Sequence, residues 1–151
     1  MKQLPSEYIG DSLSHGTLRQ EDLIPSFMDF LQNVKKICDI QKEVDNVQKE
    51  VDELEFEEAP GYSGPYYKNL EDADYILNED IVYLLDSIAP KFTYFGSTLG
   101  DGADFGFWTD EDSLLEHVRD ELDTLVQSDS MSLEEIDNEL EALQELLRGY
   151  L

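Results

Sequence analysis

Two aromatic runs, Phe92 to Phe95 and Phe105 to Trp108, flank a segment with glycines at 96, 100 and 102. Aromatic side chains suit a pleated, half-buried face, and glycine supplies backbone angles that other residues resist. Residues 92–108 are therefore predicted to form a β-hairpin. The rest of the chain reads as helix or loop, so the hairpin is expected to be the platform on which helices are mounted. The expected class is α+β, mainly helical, with one long N-terminal helix, three or four shorter helices and this one aromatic hairpin. At 151 residues, with 40% hydrophobic and 11% aromatic content, the chain is long enough to bury a core as a single domain over 1–151. It is also too rich in apolar residues for a disordered acidic tail.

Taken in order, residues 1–16 read as an irregular arm broken by Pro5, Gly10 and Gly16. Thr17 to Gln20 has capping-box spacing, and Asp22 is a second cap that places Pro25 in a first turn. Phe27, Phe30, Leu31, Val34 and Ile37 then recur at helical spacing. From there the pattern tightens to a heptad of Ile37, Ile40, Val44, Val47, Val51 and Leu54, flanked by Lys42, Glu43, Lys49 and Glu50. One helix over 22–57 is predicted. Its seam has two readings, an intramolecular hairpin against a C-terminal helix or a homodimeric coiled coil.

Residues 59–68 carry two prolines, two glycines and three tyrosines and read as a loop. The rings of Tyr62, Tyr66 and Tyr67 either pack on the domain or make the apolar rim of a binding patch. Residues 69–90 read as helical. Asn69 or Asp72 caps a segment with Tyr75, Ile76 and Leu77, and Asn78 starts a second with Ile81, Val82, Leu84, Leu85 and Ile88, ended by Pro90. Beyond the hairpin, Thr109 or Asp110 caps a helix over 110–126 with the apolar line Leu115, Val118, Leu122 and Leu125. A capping box of Ser132 and Glu135 opens the last helix, over 132–148, whose apolar line is Ile136, Leu140, Leu143 and Leu147.

The net charge is −26, and it is unevenly placed. Residues 1–50 hold nine acids and six bases, whereas residues 51–151 hold 27 acids and four bases. Self-repulsion at this density opposes the compact state, and solubility alone asks for a magnitude of only about 2–8 in a small domain. Nucleic acid and anionic membrane are excluded as direct ligands, and a basic protein surface is the natural complement. The helix over 110–126 carries Asp110, Glu111, Asp112, Glu116, Asp120, Glu121 and Asp123, seven carboxylates in 14 residues. That is one charge per about 3 Å of helix, close to the roughly 3.4 Å per charge of one DNA strand. Glu134, Asp137, Glu139, Glu141 and Glu145 continue the negative surface, with Asp72, Asp74, Glu79 and Asp80 in support.

Other chemistries leave no trace in the chain. The loop around Gly100, Asp101, Gly102, Ala103 and Asp104 lacks the ligand spacing of a calcium-binding loop, and no lysine follows the glycines in phosphate-loop spacing. His15 has no partner nucleophile or carboxylate indicated, and His117 lies between acids and reads as a surface residue rather than a ligand. The single Cys38 excludes an intramolecular disulfide and a cysteine-based zinc site. Hydrolases of the carboxylate-pair kind need a cleft with two environments, and nothing in the sequence isolates two of the 36 acids from the other 34. A non-enzyme without cofactor or metal is expected. With no 18-residue apolar run and no apolar leader after Met1, a cytoplasmic protein is expected, in the host cell if the context below holds.

The run Tyr94-Phe95-Gly96, with Gly100-Asp101-Gly102-Ala103-Asp104-Phe105-Gly106-Phe107-Trp108, resembles a segment of uncharacterised small acidic proteins of phages and mobile elements. His15-Gly16-Thr17 with Glu21-Asp22-Leu23-Ile24-Pro25 is similar to a second such segment. The resemblance implies a mobile-element context and carries over no catalytic residue. In that setting acidic proteins of this size resemble nucleic-acid-mimicking antagonists of host defence, the anti-CRISPR and anti-restriction proteins. The function expected is an acidic, non-enzymatic inhibitor that blocks the basic DNA- or RNA-binding channel of a defence protein, a CRISPR nuclease or otherwise a restriction enzyme. The alternative is a dimeric coiled-coil adaptor or assembly protein whose acidity only confers solubility.

Overall fold

Residues 1–16, expected as an irregular arm, are tied into the molecule along most of their length. The computed structural model describes residues 1–58, 61 and 64–151. Leu4 is buried, and its amide donates to the Ile88 carbonyl at 2.8 Å, while the Lys2 amide donates to the Cys38 carbonyl at 2.7 Å. A single 3-10 turn, Ser6–Tyr8, leads into strand β1 (Ser12–His15). The arm gains order because its backbone groups find partners at Cys38 and Ile88 and, from Gly10 onward, on the aromatic hairpin, a long-range pairing that Pro5 and the two glycines do not announce.

Helix α1 spans Gln20–Val34 and buries Leu23, Ile24, Phe27, Met28, Leu31 and Val34 along one face. It does not continue to residue 57. The chain turns over at Asp39, whose φ of 59° is left-handed, and the Ile40 amide reaches back to the Lys35 carbonyl at 2.9 Å. This six-residue closure around a left-handed residue is how helices commonly stop, with Asp in the place that Gly usually takes. Helix α2 (Gln41–Asp52) then folds back on α1. Gln32 donates to Gln48 at 3.0 Å and Lys35 pairs with Asp45 at 2.7 Å, so the register tightens toward the turn, as in an antiparallel pair.

Short strands β2 (Phe56–Glu57) and β3 (Tyr66–Tyr67) pair antiparallel, so the segment over 59–68 ends in strand rather than loop. Helix α3 (Leu70–Tyr75) starts as expected at Asn69, whose side-chain oxygen accepts from the Asp72 amide at 3.2 Å. Asn78 does not open a new helix. Backbone turns of π type over Ile76–Ile81 join α3 without a break to α4 (Val82–Ser87). Instead of capping, Asn78 donates back to the Asp74 carbonyl and carboxylate, each at 3.0 Å.

The aromatic hairpin forms as strands β4 (Thr93–Thr98) and β5 (Asp101–Thr109), and β5 is the centre of a three-stranded sheet in the order β1-β5-β4. Ser12 pairs with Gly106 and His15 with Asp104, with a bulge between Ser12 and Ser14. The Trp108 indole donates to the Gly96 carbonyl at 2.8 Å, and the Asp86 carboxylate accepts from the Phe95 amide at 2.9 Å. Phe27 of α1 meets Phe95 and Phe105 edge-on, with centroids 5.1 and 5.6 Å away. Phe107 meets Phe95 at 5.3 Å and Phe30 at 5.7 Å, so the rings form one connected cluster between sheet and helix, each pair worth about 0.5–1.5 kcal/mol beyond its area.

The chain divides into two compact units, Met1–Trp108 and Thr109–Leu151. The first holds the connected buried core, which draws on α1, α2, the π segment, α4 and the sheet. The second holds helices α5 (Glu111–Gln127) and α6 (Leu133–Arg148). Their caps are those expected. Asp110 accepts from the Ser113 amide at 3.2 Å, and Ser132 and Glu135 form a reciprocal capping box. Among the described residues no helix is long and apolar enough to cross a membrane.

Candidate functional site

The acids of the second unit are its dominant surface. Residues 109–151 hold 14 acids against two arginines, a net of −12, whereas residues 1–108 hold 22 acids and eight bases. On α5, Asp112, Glu116, Asp120 and Asp123 are exposed and recur every three or four residues, which at 100° per residue places them in one row. On α6, Glu134, Asp137, Glu141 and Glu145 form a second such row, also exposed. Neighbours in each row stand about 4.5–6 Å apart along the axis, and like charges at that spacing cost a few tenths of a kcal/mol per pair. Glu145 is engaged by Arg148 at 3.3 Å.

Other acids on the same helices do structural work. Asp110 caps α5, and hydrogen bonds from Ser113, first of its hydroxyl and then of its amide, hold its carboxyl below the usual range. Glu135 is held down in the same way by the Ser132 amide and hydroxyl. Glu111 is exposed in the first turn of α5, where it complements the helix dipole, and Glu121 is half-buried.

Asp72, Asp74, Glu79 and Asp80 belong to the first unit. Asp72 and Glu79 are exposed, while Asp74 accepts from Gln20 at 3.1 Å and from Asn78. Asp80 is half-buried, and one of its carboxylate oxygens is shut from water without a hydrogen-bond partner. It sits beside Glu50 of α2, whose carboxyl is pushed up by partial desolvation and by the Asp80 charge. Asp74 is therefore engaged by the local fold, and Asp80 is turned partly inward rather than onto an outward surface.

The tyrosines correct the expected rim. Tyr67 is only 2% exposed and stacks on Phe56 at 4.6 Å, so it belongs to the core and contributes nothing to a rim. Tyr66 is half-buried, with its hydroxyl donating to Glu57 at 3.3 Å, and Tyr62 lies outside the described residues. Tyr75 and Tyr83 are the exposed rings beside the acids of 72–80. The sequence held a signal for both. The buried set Ile76, Leu77, Ile81, Leu84 and Leu85 leaves 75 and 83 on the opposite side.

The heptad is spent inside the first unit. Ile40, Val44 and Val47 are buried in the core, Val51 and Leu54 are partly buried against it, and Ile37 turns outward at 52% exposure because the helix stops before it. The seam is therefore an intramolecular one, made with α1 and the π segment rather than with a C-terminal helix or a second chain. Among the described residues no group of three or more His, Cys, Asp or Glu side chains is arranged to hold a metal ion. No family model, curated protein or solved structure matches the chain.

Proposed function

We propose that this protein is a non-enzymatic inhibitor whose acidic helices imitate nucleic-acid charge and occupy the basic channel of a nucleic-acid-binding defence protein, a CRISPR effector or otherwise a restriction enzyme. The observation that carries the reading is the pair of exposed carboxylate rows on α5 and α6, in a unit with 14 acids and two bases. Repulsion is retained there over consecutive turns with two arginines to relieve it. A row of fixed charge of this kind accelerates encounter with a basic cleft, and both rate and affinity fall as salt rises. Its line spacing suits a channel built for a phosphate backbone. The resemblance of the hairpin to phage and mobile-element proteins points to defence nucleases as the place to look.

The test compares two triple charge reversals in cleavage assays with CRISPR and restriction nucleases. Changing Glu116, Asp120 and Asp123 together to Lys is expected to abolish inhibition of the sensitive nuclease. Changing Glu7, Glu43 and Glu58, exposed acids of the first unit, to Lys is expected to change it little. Equal losses from both variants would show that the effect is overall charge and not a localised surface.

A further inference from the structure

Helix α6 has a second face that the charge reading leaves idle. It is amphipathic over 16 residues, yet none of its residues is buried. Leu133 is 87% exposed and Leu140 39%, and with Ile136 they floor a shallow groove of about 580 Å³ rimmed by Glu134 and Asp137. Ile136, Leu143, Leu146 and Leu147 are half-buried, so the open part of the stripe is its N-terminal half, at Leu133 and Leu140. An apolar patch left open there in a well-capped helix is a surface for something else. The borders of the stripe say what. Asp137 flanks it on one side and Glu139 on the other, and the one base of α6, Arg148, lies at the C-terminal end and engages Glu145.

We infer that the α6 stripe docks an amphipathic helix of the partner, with leucine-like residues in the groove and lysine or arginine along both borders. The inference rests on the charge-mimic reading for the sign of its partner and adds the partner's shape. A second copy of this chain fits poorly. A symmetric contact sets Asp137 and Glu139 against their own equivalents and brings two units of −12 together. A helix of opposite charge meets complementary groups at the same positions.

The experiment uses the full chain and three probes at low salt: a helical leucine–lysine peptide with its leucines at 3.6-residue period, a scrambled peptide of the same composition, and polylysine. Binding is read by fluorescence anisotropy, and mass by sedimentation. The periodic peptide is expected to bind at least about tenfold more tightly than the scrambled one. The exposed-site variant Leu140→Glu, with helicity checked by circular dichroism, is expected to erase that difference. Equal binding of all three probes, or no effect of Leu140→Glu, overturns the inference and leaves the charge-mimic reading intact. Failure of every probe to bind overturns both. A native dimer that Leu140→Glu dissociates overturns the inference in favour of a second copy.

Discussion

Gly106 is the residue at which the sheet is least forgiving. A Cβ placed there would stand 2.4 Å from the Asp11 carbonyl oxygen and 3.0 Å from the Trp108 ring. The obstacle is backbone, held by the pairing of Ser12 with Gly106 and by the Gly10 amide donating to Phe107 at 2.9 Å, so it cannot swing aside as a side chain could. Gly106→Ala is expected to destabilise the protein by about 1–3 kcal/mol, through displacement of β1 from the sheet. Urea unfolding checks this, and Gly102→Ala is the control, since a Cβ there meets nothing within 4 Å. That Gly106 sits in a strand was legible in the aromatic run around it. That β1 lies against it was not, because the pairing joins residues about 90 positions apart and Ser12–His15 carries no strand pattern of its own.

Local rules read well at three helix starts and failed at two others. Helix α1 begins after Arg19 with no side-chain cap, so neither Thr17 nor Asp22 caps it and Pro25 lies inside it, and Asn78 opens no helix. Asn69, Asp110 and the Ser132–Glu135 box all cap as expected, because each cap is settled within four residues of chain. The long N-terminal helix failed where a tertiary choice overrode periodicity. The heptad runs through Asp39 with no Gly or Pro to mark the stop, and the turn there is stabilised by the burial it achieves, which brings Val44 and Val47 onto α1. Ser132→Ala is expected to cost about 1 kcal/mol of α6 stability, seen as lost helical ellipticity. The Glu135 carboxyl is held below its ordinary 4.5 by Ser132, so its contribution is fully present above that value and fades as pH falls through the lower folded value. Acidification from pH 6 to pH 3 should therefore narrow the difference between Ser132→Ala and the parent. A difference that stays constant with pH would mean that the carboxylate takes no part in the box.

The whole molecule separates what holds it together from what it displays. The connected core lies within residues 1–108, whereas residues 109–151 contribute −12 of the charge and one buried apolar side chain, Leu114. The hairpin and the charge asymmetry are both legible in the chain itself, since each is a matter of local composition. The division into two units is not, because α5 and α6 have the same amphipathic period as helices that bury a face, and period alone does not say whether the face is covered. If the first unit supplies the stability, a chain ended after Thr109 should fold by itself. It should also be less dependent on salt, because self-repulsion scales with the charge that the truncation removes and is screened over about 10 Å at 0.1 M salt. Thermal melts of both chains at 10 mM and 500 mM NaCl check this. The full chain is expected to gain several degrees across that range, at about 2–4 °C per kcal/mol for its size. The shorter chain is expected to melt cooperatively and to gain less. Loss of the cooperative transition on truncation would show that α5 and α6 help to hold the core, and would remove the ground for assigning their exposed faces to a partner.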